Sequence, residues 1–72
     1  MKLFDGYVKK FYAVQEMNLP VKIEKRLEAL GMIDGTKLSV LNKKKSALVI
    51  SVRGTRFALG KSIAENIEVK EL

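Results

Sequence analysis

Cysteine, histidine and tryptophan are all missing from this 72-residue chain. Without Cys there is neither a thiolate nucleophile nor a disulfide framework, and without His there is no imidazole base and no zinc-finger ligand set. The four serines, Ser39, Ser46, Ser51 and Ser62, therefore have no His to activate them, and catalysis is not expected. Carboxylates are the only strong metal donors left. Long hydrophobic runs are also absent: none exceeds four residues, as in Ala47-Leu48-Val49-Ile50, against the roughly 20 needed to span a bilayer. The segment Met1 to Gly6 reaches Asp5 and Gly6 before any stretch of signal-peptide length develops, so a cytoplasmic location is expected. With one Pro, no internal repeat and no Gly/Ser-rich linker, residues 1–72 are expected to form one domain. So short a chain has room for one core and excludes a large enzyme.

Acidic side chains are few and unevenly placed. Fourteen Lys and Arg against eight Asp and Glu give a formal charge of +6. Residues 35–64 hold seven basic side chains and no acidic one. An acidic partner is favoured electrostatically, whether an acidic protein, an anionic membrane surface or nucleic acid.

What is present is alternation. Tyr12, Val14 and Met17 fall near a period of two, which predicts a strand from Tyr12 to Met17 ended by Asn18-Leu19-Pro20. Asn18 is a candidate cap and Pro20 a first-turn residue for a helix over about residues 20–30. Ile23, Leu27 and Leu30 form its apolar stripe, and Gly31 is its stop. Asp34-Gly35-Thr36 reads as a turn, and Leu38 with Val40 as the next strand. Leu48, Ile50 and Val52 then share one face. Gly54-Thr55 turns the chain, and Phe57 with Leu59 follows. Ser62 is placed to cap one helical turn through Glu65, with Ile63 inward, before a last strand carrying Ile67 and Val69. The fold class is mainly β, with about five short strands and one helix. Closing such a sheet into a small barrel buries one face and leaves little free edge.

Lys25 to Leu41 carries Arg26-Leu27, Leu30-Gly31 and Gly35 at a spacing that resembles the FeoA family, the small ferrous iron transport protein A. The likeness continues through Ile50-Ser51-Val52-Arg53-Gly54, Phe57-Ala58-Leu59, Ile63-Ala64 and Ile67-Glu68-Val69, and covers roughly residues 12–70. It implies an SH3-like β-barrel, similar also to the C-terminal domain of iron-dependent repressors. It further implies a bacterial accessory role beside a membrane GTPase iron permease of the FeoB type. No cofactor is evident in the residues; association with a transition metal, iron, is implied by the resemblance alone.

The expected function is docking on that permease by a monomeric, non-enzymatic barrel. The contact regions proposed are a helix face made of Glu24, Lys25 and Glu28, the basic loop Lys43, Lys44 and Lys45, and Arg53 with Arg56 extending the basic patch. The alternative class is a basic SH3-like module that binds nucleic acid or regulates metal-dependent transcription. Nucleic acid is disfavoured because Phe57, the one aromatic interleaved with the basic segment, is needed by the core. Gly31 and Gly35 are read as backbone devices rather than phosphate binders. Glu65, Glu68 and Glu71 would cluster as metal ligands only on a helix, whereas Ile67 and Val69 argue for a strand, so no metal site is assigned.

Overall fold

A computed structural model describes residues 1–72. Five antiparallel strands form one sheet: β1 (Phe11–Met17), β2 (Lys37–Lys43), β3 (Ala47–Val52), β4 (Thr55–Gly60) and β5 (Ile67–Glu71). Their spatial order is β4-β3-β2-β1-β5. The helix α1 (Val21–Ala29) joins β1 to β2, and the short α2 (Lys61–Ala64) joins β4 to β5. A 3-10 turn over Leu3–Asp5 precedes β1.

The alternating residues make the core as the sequence requires. Tyr12, Val14, Leu38, Val40, Leu48, Ile50, Val52, Leu59, Ile67 and Val69 are all buried on the sheet's inner face. Two one-residue register shifts interrupt the strict alternation. Between Val14 and Glu16 the pairing with β5 slips by one, which brings Met17 opposite Ile67. A second slip lies between Val40 and Asn42 of β2 and sets Lys43 opposite Leu48. The edge strands β4 and β5 do not pair with each other. The chain start lies along β5 instead: the amide of Val69 donates to the carbonyl of Met1 at 2.8 Å, and the Met1 amine donates back to Val69 at 3.1 Å.

Several local expectations are corrected. Helix α1, Val21–Ala29 with Pro20 and Leu30 as its caps, matches the expected span, but Leu30 is exposed and Met32 is fully buried in its place. Gly31 adopts φ 99° and ends the helix with two bonds, Gly31 N–H to the Glu28 carbonyl and Met32 N–H to the Leu27 carbonyl, both at 2.9 Å. This pattern reverses the chain and carries Met32 inward beside Leu27. Asn18 does not cap the helix: Pro20 holds the N-cap position with no side-chain cap bond, and the Asn18 amide pairs with the Asn66 carbonyl at 2.8 Å. Ser62 likewise caps nothing, since α2 begins at Lys61 after an extended Gly60; Ile63 packs against the core as expected, and Ala64 beside it is fully buried. The β3–β4 turn is Arg53-Gly54, since Val52 pairs with Thr55. Both turn residues have positive φ, 51° and 81°, as the tightest right-twisting hairpin demands.

Candidate partner-binding surface

The eight residues proposed from the sequence fall in three places. Glu24, Lys25 and Glu28 lie on α1, where Lys25 and Glu28 are exposed and Glu24 is half-buried. Lys43, Lys44 and Lys45 form the tip between β2 and β3, all exposed. Arg53, in the β3–β4 turn, and Arg56, on β4 opposite Ser51, lie at the other end of β3 from the lysine tip and do not extend it. Six residues of strand, at about 3.3 Å each, separate the two.

Each basic group gathers neighbours that sequence reasoning missed. At the tip, the Lys61 amide donates to the Ser46 carbonyl at 2.9 Å and holds the start of α2 against the loop. The ammonium groups of Lys43 and Lys61 then sit 5.4 and 5.5 Å from the centroid of the Phe4 ring. At the opposite end, Phe11 and Lys37 point outward because their neighbours Tyr12 and Leu38 point in. Lys37 Nζ stands 4.6 Å from the centroid of the Phe11 ring. Alternation alone gives the outward direction of each side chain. Their meeting needs the pairing of Phe11 with Ser39 and Ala13 with Lys37, which no local signal fixes.

An open groove of about 630 Å³ lies on this outer face, with Ser39 and Ser51 as its floor and Phe11, Ile33, Lys37 and Arg53 among its walls. Across the sheet Phe11 pairs with Ser39, Ser39 with Ser51, and Ser51 with Arg56. The surface dips there because two small hydroxyl residues stand between larger ones. No Lys or Arg side chain anywhere is ion-paired; the one salt bridge joins the Met1 amine to Glu68 at 3.3 Å.

Carboxylates do not converge in the same way. β5 is a strand, so Glu68 and Glu71 are not stacked as on a helix, and Glu65 follows α2. Glu16, Asp34 and Glu68 border a polar hollow, yet no three acidic side chains come together closely enough to hold a metal ion. The donor set does not fit a resident iron or zinc centre.

A family model for the FeoA domain matches residues 1–71. The chain belongs to the FeoA family. As a FeoA-family chain it is a ferrous iron transport accessory protein, and its fold is SH3-like. An iron uptake regulatory protein, FeoA, is 26% identical, superposes with a TM-score of 0.90, and is covered over 97% of its length by 100% of this chain. The FeoA of Stenotrophomonas maltophilia, solved with zinc and described as a prokaryotic SH3 domain protein, is 28% identical. Its TM-score is 0.80, with 97% of this chain and 89% of that one covered. A manganese-dependent transcriptional repressor shares the fold at a TM-score of 0.89 and 16% identity; all of this chain covers 41% of it, so the likeness is to one part of that repressor. A search of curated proteins gives no match. In this FeoA-family chain no helix is long and apolar enough to cross a membrane.

Proposed function

We propose that this FeoA-family chain acts in the cytoplasm as a non-enzymatic accessory of ferrous iron transport, docking on the cytosolic part of a FeoB-type GTPase permease. The observation that carries the proposal, beside family membership over residues 1–71, is the state of the charge. The chain bears +6, and none of its Lys or Arg side chains is spent on an internal ion pair. These cations are hydrated and free to meet an acidic protein surface, which raises the encounter rate and fixes orientation. A preformed sheet with two basic ends binds with little reorganisation. It changes transport or nucleotide turnover in proportion to its preference for one state of the permease.

Titration of the chain into the isolated cytosolic part of the cognate permease, followed by calorimetry, tests this. Saturable binding that weakens with salt is expected. No binding up to high micromolar concentration contradicts the proposal, and tighter binding to DNA or RNA than to the permease moves the protein to another class.

A further inference from the structure

We infer that the outer groove between Phe11 and Arg53 is a recognition site for an acidic peptide segment carrying a bulky apolar side chain. The docking reading supplies the choice of a protein as partner; the chemistry comes from the groove itself. Phe11 and Ile33 are 49% and 47% exposed, and both line the groove, so its walls hold apolar surface open to solvent. Two cations, Lys37 and Arg53, share those walls, and neither is ion-paired. Arg56, opposite Ser51 on the same face, adds a third. The only carboxylate on the rim is Asp34.

Charge complementarity selects the occupant. A second copy would bring the same cations face to face and is opposed by like charge. A nucleic acid would need a succession of open aromatic faces for base stacking, and the groove offers one ring, Phe11, with the Lys37 cation already 4.6 Å from its centroid. An acidic peptide satisfies the whole set: its carboxylates meet Lys37, Arg53 and Arg56, its apolar side chain lies between Phe11 and Ile33, and its backbone amides find Ser39 and Ser51 hydroxyls as acceptors. The groove is prearranged. Arg53 is held in a two-residue turn against Gly31, and Lys37 is held over Phe11, so little side-chain freedom is lost on binding.

The test is a titration of the isotope-labelled chain, read by amide chemical shifts, with a glutamate–tyrosine random copolymer. Polyglutamate and oligothymidylate serve as comparisons, and the variants are Phe11→Ala, Lys37→Glu and, on exposed Lys22 of α1 outside every proposed contact region, Lys22→Glu. The copolymer is expected to shift Phe11, Ile33, Ser39 and Ser51. Removing one anchor of the groove should weaken binding, so Phe11→Ala and Lys37→Glu are each expected to do so about tenfold, with Lys22→Glu close to wild type. Both groove side chains are exposed, and the dispersion of the variants' own spectra verifies that they fold. The inference is overturned if the copolymer does not bind, if polyglutamate binds as tightly, if oligothymidylate occupies the groove more tightly, or if the shifts gather at Lys43 to Lys45. Since the copolymer measurement requires no permease, its failure removes the groove and leaves docking standing, whereas failure of the permease titration removes docking alone.

Discussion

The side chain of Arg53 lies across Gly31, its Cδ 2.9 Å from where a β-carbon on that glycine would stand. The contact joins the β3–β4 turn to the end of α1, two points 22 residues apart in sequence. Both backbones are in the left-handed region there, φ 99° at Gly31 and 51° at Arg53. A glycine at the helix end thus does two things: it reverses the chain so that Met32 enters the core, and it leaves room for an arginine that forms one wall of the groove.

Gly31→Ala should therefore be strongly destabilising. The left-handed conformation costs a β-carbon residue about 1–2 kcal/mol, and the new methyl also displaces Arg53. For a domain of this size that corresponds to a fall in Tm of roughly 4–16 °C. Gly31→Asn should lose less, since asparagine tolerates positive φ better. A thermal melt of Gly31→Ala indistinguishable from wild type would show that the helix end is not held as described.

Tyr12 supplies a second test, inside the core. It is fully buried, and its hydroxyl oxygen accepts a bond from the Tyr7 amide at 2.8 Å. Tyr12→Phe keeps the ring and leaves that amide without its partner, at an expected cost of about 1–2 kcal/mol in chemical denaturation. If the hydroxyl only points to solvent, the variant will be neutral.

Much of this architecture was legible because its signals are local. Leu48, Ile50 and Val52 alternate, and their burial follows. Gly31 and Gly35 mark positive φ at the places their neighbours require. What could not be read depends on partners distant in the chain. Leu3 is fully buried, yet its segment is held through pairing of Met1 and Lys2 with β5, 68 residues from Met1 at Val69. The exchange of Leu30 for Met32 has a related cause. Helical periodicity continues past Leu27, but the bonds at Gly31 end the helix first, so the residue after the turn fills the place. The candidate surface was legible in charge and not in shape. Arg53 and Arg56 stand out as basic, whereas Phe11 and Lys37 join them only through the registers of β1 on β2 and of β2 on β3.

Helix α1 should open before the sheet does. It holds to the core through Leu27, buried, and Ile23, partly buried, and nine residues are too few for a helix to be stable by itself. Amide hydrogen exchange is expected to protect residues 21–29 much less than Leu48, Ile50 and Val52. Leu27→Ala should widen that gap, because it removes the main anchor. Equal protection of helix and sheet would mean that α1 is part of the same cooperative unit.

The lysine tip and the groove should contribute differently to docking. Lys43, Lys44 and Lys45 are exposed and lie at the other end of β3 from Arg53, with Lys43 and Lys61 sharing the Phe4 ring. Charges so placed attract over a distance and lose little hydration on contact. Replacing all three by Gln should slow association with the permease's cytosolic part by a few-fold and flatten its salt dependence, while dissociation stays near wild type. Phe11→Ala or Lys37→Glu should instead speed dissociation, because an apolar wall and a cation placed over it act only once the surfaces touch. Stopped-flow or surface-based kinetics over a range of salt separates the two effects. If the glutamine triple variant dissociates much faster while Phe11→Ala leaves both rates unchanged, the anchor lies at the tip and the division of labour is reversed.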